Sequence, residues 1–101
     1  MKHAYLGERV ALLLMGKDPQ GEDDWAVLAG TVIQQQERLL FQHAHGALEL
    51  SDEWASRIKP AAPETKSILG GAQYVLPLVV GNITDEEAAS LQGTGLKWPI
   101  S

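Results

Sequence analysis

The stretch from residue 25 to residue 50, WAVLAGTVIQQQERLLFQHAHGALEL, constrains the fold of this chain more than any other. It is rich in β-branched, aromatic and aliphatic residues, which favour strands over helices. One break falls at Glu37-Arg38. A second falls at His43-Ala44-His45-Gly46, where the glycine can adopt the positive φ that a tight turn requires. The pattern predicts a three-stranded meander.

The first arm of this meander is apolar on both faces near its start. Trp25 and Val27 alternate with Ala26 and Leu28, and three consecutive glutamines end at Gln36. We therefore expect the arm to be covered on both sides near Trp25 and to become solvated toward Gln36.

Two segments precede the meander. The run GERVALLLMG, from Gly7 to Gly16, is bounded by glycines and predicts a short buried strand. The segment KDPQGEDD, residues 17–24, predicts a solvated loop. Its carboxylates invite comparison with a calcium loop, but the D-x-D-x-D-G spacing with a later glutamate is missing, so the solvated loop is the favoured interpretation.

Helix signals follow the meander. Ser51 has the character of an N-cap, with two acidic residues after it and Trp54 and Ile58 on one face, so a helical turn or two should end before Pro60. The segment AAPETKSILGGA, residues 61–72, predicts a second short helix that begins at a proline and ends at a glycine pair.

The run QYVLPLVVG, residues 73–81, is the last strong strand candidate. Pro77 lacks an N–H and cannot donate to a strand ladder, which predicts an edge position or a bulge. An apolar edge strand needs a cover, either from this chain or from a second copy of it. This is the main reason to expect a homo-oligomer.

The C-terminal part opens with the most specific local signal in the chain. Thr84 followed three residues later by Glu87 predicts a capping box, and the helix should extend over about 85–92 to a stop at Gly93. The tail 93–101 carries the apolar residues Leu96, Trp98 and Ile100. It is expected to pack back on the domain or to dock on a neighbour.

These elements predict a single domain over residues 1–101 that is mainly β with short helices. Their order over about residues 7–81 resembles a small, partly open, five-stranded β-barrel of the Sm-like or Tudor-like kind, with a C-terminal helix at about 85–92 and a tail at 93–101. In RNA-binding Sm-like proteins a loop bearing Asp and Asn follows a glycine turn, whereas Gly30 is followed here by Thr31-Val32-Ile33. The resemblance therefore concerns the layout alone, and transfers no binding residues.

Composition narrows the classes of partner. The chain is acidic, with a net charge of −5, which argues against nucleic acid as a partner. A nucleic-acid-binding barrel is kept as an alternative, and Arg38, Arg57 and Lys59 would carry it. Cysteine is absent, and the longest apolar run is far shorter than a membrane span. We expect a cytoplasmic protein with no membrane partner and no cofactor.

The most suggestive chemical feature is the pair His43 and His45. On an extended strand, period-two geometry would place both imidazoles on one face, as in metal sites that take two ligands from one strand. His3, Glu49 or the acidic loop would have to provide a third ligand. In a hairpin turn the two rings would instead point into solvent, and this is the favoured interpretation.

No catalytic motif is present: there is no nucleophile elbow, phosphate loop, zinc-protease helix or dinucleotide fingerprint. Trp25 and Trp54 start or anchor regular elements and are interpreted as core residues. The preferred hypothesis is a non-catalytic domain that acts through protein contacts and associates with itself. The candidate interface residues are Tyr74, Leu76, Pro77, Leu78, Leu96, Trp98 and Ile100.

Overall fold

The structure, a computed structural model, describes residues 4–92 and residue 94. These residues form six strands, two short α-helices and two 3₁₀ turns. In chain order they are β1 Arg9–Lys17, β2 Asp23–Gln35, β3 Arg38–His43, β4 Gly46–Leu50, α1 Asp52–Ser56, β5 Lys59–Pro60, the 3₁₀ turn Pro63–Thr65, β6 Tyr74–Val79, the 3₁₀ turn Val80–Asn82 and α2 Asp85–Gln92. The strands form one sheet in the order β4-β3-β2-β1-β6-β5.

The predicted meander is confirmed. Strands β2, β3 and β4 are antiparallel neighbours, and β1 pairs antiparallel with β2 on the other side. The β2–β3 turn bends at Gln36, which has a φ of 59°, and the β3–β4 turn consists of Ala44 and His45. Gly46 follows that turn with a φ of 134°, as its position predicts.

The predicted closure into a five-stranded barrel is wrong. The two runs that were expected to close the barrel, β1 and β6, do pair with each other, in parallel, but β6 does not continue round to β4. This leaves β4 at one edge of the sheet and the short β5 at the other, so the six-stranded sheet is open. Strand β5 pairs with Tyr74 and Val75 only, so pairing on that side stops before Pro77, which has no N–H to continue it.

One face of the sheet, here called the core face, holds the main hydrophobic core. Both helices contribute to this core, α1 through Trp54 and α2 through Leu91. The buried members of the cluster are Tyr5, Val10, Leu12, Leu14, Val32, Phe41, Leu48, Leu50, Trp54, Leu76, Leu78 and Leu91. Alternation along each strand puts its remaining side chains on the opposite face, here called the second face.

Both predicted helix starts are confirmed by their hydrogen bonds. The Ser51 hydroxyl accepts from the Trp54 N–H at 3.1 Å and caps α1. At α2 the Thr84 hydroxyl accepts from the Glu87 N–H at 3.1 Å, while the Glu87 carboxylate accepts from the Thr84 N–H at 2.8 Å. Helix α2 spans the predicted 85–92; the predicted stop at Gly93 and the tail after Thr94 lie outside the described residues.

The second face is only partly covered, by the segment 61–72. This segment forms a 3₁₀ turn followed by further turns instead of the predicted helix, and Gly70 and Gly71 end it with positive φ values. It brings Leu69 and Ala72 onto Ala11 in a second, smaller cluster of buried residues. Within the described part of the chain, no helix is both long enough and apolar enough to cross a membrane.

The two tryptophans expected in the core have different environments. Trp54 is buried at 3% exposure, whereas Trp25 is 53% exposed, so the interpretation of Trp25 as a core residue is wrong. The expectation that β2 is covered on both sides near Trp25 fails for the same reason. The cover formed by 61–72 packs against Val27 and leaves much of Trp25 open.

Candidate contact surface

A row of apolar side chains crosses the second face at the end of strand β1. In the strand register Met15 lies opposite Trp25 of β2 on one side and Val79 of β6 on the other. Paired residues in adjacent strands point to the same face, so the three side chains form a line across the sheet. Ile68, from the covering segment, borders the same line through a groove shared with Met15 and Trp25. We call these four residues the Met15 patch.

The patch collects the most exposed large hydrophobic side chains of the described residues. Trp25 is 53% exposed, Ile68 52% and Val79 43%. Single exposed hydrophobic residues are ordinary on a protein surface, but a contiguous group of them marks a contact site. All three border Met15, so they form one surface.

The reach of the segment 61–72 explains why this row stays open. Leu69, Ala72 and Ala61 pack against Val75 and Ala11, and the cluster extends to Leu13 and Val27. The strand residues among them, Ala11, Val75, Leu13 and Val27, belong to the two rows next to the patch in the strand register. The segment therefore covers the second face up to the row before Met15, and beyond that row its Thr65 and Ile68 only border a groove.

Two grooves flank Met15. One has a volume of about 440 Å³ and runs between the strands and the covering segment, lined by Leu13, Met15, Gly16, Asp23, Asp24, Trp25, Thr65 and Ile68. The other has a volume of about 450 Å³ and includes the β6 side of the patch, lined by Met15, Gly16, Lys17, Asp23, Val79, Val80 and Gly81. Lys17 and Asp23 form an ion pair at this end of the row, so a charged pair borders the apolar surface.

The interface residues predicted on β6 divide between the two faces. Leu76 and Leu78 have no exposed surface and belong to the main core, so they offer nothing to a partner. Tyr74 is half-buried on the same core face, and Pro77 is half-buried on the second face. Leu96, Trp98 and Ile100 lie outside the described residues. Sequence reasoning missed Val79 on this strand, although its register with Met15 and Trp25 makes it the β6 member of the patch.

The two histidines lie at a turn. The His45 N–H donates to Nδ1 of His43 at 3.1 Å, and the ring centroids of the pair are 6.3 Å apart. Nδ1 of His43 is therefore engaged inside the turn. Burial, and to a lesser degree the charge of His45, hold the pKa of His43 below its usual value. Across residues 4–92 and 94, no group of three or more His, Asp or Glu side chains is placed to hold a metal ion.

In the acidic loop between β1 and β2, the first carboxylate, that of Asp18, accepts hydrogen bonds from the backbone of the same loop. Oδ1 of Asp18 accepts the N–H groups of Gln20 and Glu22, each at 2.9 Å. This carboxylate closes the turn, which is a local structural role.

The three basic residues of the nucleic-acid alternative do not form a patch. Arg38 pairs with Glu49, and Arg57 pairs with Glu53 on α1. Arg38 and Lys59 are on strands β3 and β5, which are separated by three other strands. At the usual strand spacing that separation is roughly 19 Å. Two of the three charges are thus balanced locally, and the residues are dispersed across the sheet.

Comparison with known proteins supplies no analogue for this surface. No family model, no curated protein and no solved structure matches the chain. The strand register, the exposure of individual side chains and the two grooves are therefore the observations on which a function is argued.

Proposed function

We propose that this protein is a non-catalytic domain that acts through protein contacts and associates with itself through the Met15 patch. The observation that carries the proposal is the convergence of Trp25, Ile68 and Val79 around Met15 on one face. Trp is among the residues most enriched at the energetic centres of protein interfaces, which supports this use of an exposed Trp25.

The size of the patch suits a reversible contact. The exposed parts of the three side chains amount to roughly 300 Å² of apolar surface, the size at which patches on monomers are often functional. Removing that area from water corresponds to about 7 kcal/mol per copy. Association costs of about 4 to 15 kcal/mol oppose this gain, so we expect self-association that depends on protein concentration.

The resemblance to Sm-like and Tudor-like barrels enters this proposal only as a precedent for small β-rich domains that work through their surfaces. The proposal differs from the expectation based on sequence in the surface that it uses. The Pro77 strand edge is replaced by the exposed row at the end of β1, because Leu76 and Leu78 are buried. The Trp98 tail lies outside the described residues, and the proposal does not use it.

Light scattering after size exclusion, over a concentration series, tests the proposal. We expect the mass of the full chain to rise above 10.9 kDa with concentration, and the variant Trp25→Ser to remain at 10.9 kDa. Ile33→Ser is the matched control, because Ile33 lies on the same strand and face but outside the patch. Two results would contradict the proposal. One is a full chain that stays at the monomer mass throughout, and the other is a Trp25→Ser variant that associates as the full chain does.

A further inference from the structure

We infer that two copies meet as an isologous dimer about a two-fold axis that runs along β1 at Met15, with Trp25 of each copy seated in the groove beside Val79 of the other. The inference rests on the proposed function, since it specifies the geometry of the same contact. It commits to a second copy of this chain as the occupant of the patch.

The shape of the patch is self-complementary about Met15. On the β2 side Trp25 provides a large side chain that is 53% exposed. A groove of about 450 Å³ is lined on the β6 side by Val79, Val80 and Gly81, and it extends past Met15 and Gly16 to the Lys17–Asp23 pair. A rotation about an axis along β1 exchanges the two sides, so that each indole meets the groove of the other copy. The groove volume falls in the range of about 300 to 1,000 Å³ that encloses small ligands, which is ample for an indole.

The apolar area fits the centre of such a dimer. A standard interface buries about 800 Å² per partner, of which roughly 450 to 500 Å² is apolar. The three most exposed side chains provide roughly 300 Å², and the half-buried Met15, Leu13 and Pro77 beside them extend it toward roughly 400 Å². The patch is therefore slightly smaller than the apolar part of a standard interface, as a reversible dimer requires.

The charges next to the patch also suit a second copy. The whole chain carries a net charge of −5, which opposes self-association in general. At the end of the row, however, Lys17 and Asp23 provide one charge of each sign, already paired with each other. The axis along β1 brings Lys17 of one copy toward Lys17 of the other, and the Asp23 carboxylate already paired with each lysine offsets their like charge.

A single introduced cysteine tests the symmetry, because the chain has none of its own. Met15 lies on the proposed axis, so the thiols of two Met15→Cys copies should face each other. Face-packed sheets lie about 10 Å apart, and the segments 61–72 on this face hold the two sheets at least that far apart. A disulfide needs Cα atoms within about 7 Å, so a bis-maleimide is the appropriate cross-linker. Ala47→Cys is the matched control: Ala47 is exposed on the second face, but at the β4 edge.

We expect the cross-linker to convert Met15→Cys to a covalent dimer and to leave Ala47→Cys largely monomeric at the same concentration. The same result is expected for a Met15→Cys chain that ends at Thr94. In the Trp25→Ser background the dissociation constant should rise about 30-fold or more, as for loss of an interface anchor.

Four results would overturn the inference. Loss of cross-linking when residues 95–101 are removed would assign the patch to the C-terminal tail of a neighbour. Equal cross-linking of Met15→Cys and Ala47→Cys would show that the reaction reports random collision. If the full chain is dimeric by light scattering but Met15→Cys fails to cross-link, the two-fold geometry is contradicted and the proposed self-association is retained. If the full chain is monomeric, the geometry and the self-association are both contradicted.

Discussion

Replacing Gly30 with alanine should destabilise the sheet strongly, for a reason of space. Gly30 lies in β2 opposite Val10 of β1, and its backbone does not have a positive φ. A Cβ built on it would lie 2.2 Å from the backbone oxygen of Gln42 and 2.9 Å from Cζ of Phe41. Strand β3 would have to retreat by on the order of 1 Å to make room.

The cost of that movement can be worked from its parts. Overpacking of a core costs about 1 to 3 kcal/mol, and each weakened inter-strand hydrogen bond costs about 1 kcal/mol more. We therefore expect Gly30→Ala to lower the free energy of unfolding by about 3 kcal/mol. For a domain of this size the thermal midpoint should fall by roughly 15 °C.

Urea unfolding at equilibrium measures this change, with Gly81→Ala as the control. Gly81 undergoes the same chemical change in open space, with no atom within 4 Å of the added Cβ and no positive φ. We expect the control to change the free energy of unfolding by less than about 0.5 kcal/mol. If the two variants were equally stable, the close approach of β3 to Gly30 would be refuted.

Three further predictions concern helix α2, the β3–β4 turn and the core. Thr84→Ala removes the hydroxyl that accepts the Glu87 N–H and should cost about 1 kcal/mol in urea unfolding; an unchanged midpoint would contradict the capping box. Because burial and then His45 lower the pKa of His43, the unfolded chain binds a proton at higher pH than the folded chain. Stability should therefore fall as the pH drops through the usual histidine pKa near 6.5, and His43→Gln should weaken this dependence between about pH 7 and pH 5.5; an unaltered profile would contradict it. Trp54→Ala should cost about 3 to 5 kcal/mol, because the side chain is 3% exposed in the main core, and a cost below about 1 kcal/mol would contradict that burial.

Local signals predicted most of the individual elements. The capping box at Thr84, the N-cap at Ser51 and the glycine after the histidine turn each fix a boundary through interactions within a few residues. The residues that make each of these interactions are close in the sequence, so the interactions can be predicted from the sequence directly. The meander follows because its strands are consecutive and joined by short turns.

The pairing of distant strands could not be predicted in this way. The runs that became β1 and β6 have apolar patterns that fit an open sheet as well as a closed barrel. Their parallel pairing depends on the path of the intervening chain, which returns across the core face through α1. Nothing in either run alone distinguishes the two arrangements.

The Met15 patch was missed for a related reason. An arm that is apolar on both faces predicts cover on both faces, and Trp25 was therefore interpreted as a core residue. The cover on the second face comes from residues 61–72, and how far it extends depends on turns that end at Gly70 and Gly71. It extends as far as Leu13 and Val27, and Trp25 is left exposed in the next row.

Sedimentation velocity on the full chain and on Trp25→Ser, side by side over the same range of concentrations, measures whether the Met15 patch holds two copies together. We expect the full chain to move toward twice 10.9 kDa as its concentration rises, while the variant sediments at 10.9 kDa and keeps the far-UV circular dichroism spectrum of the full chain. A single monomeric species for the full chain at every concentration would contradict the claim that the Met15 patch is a contact surface between copies.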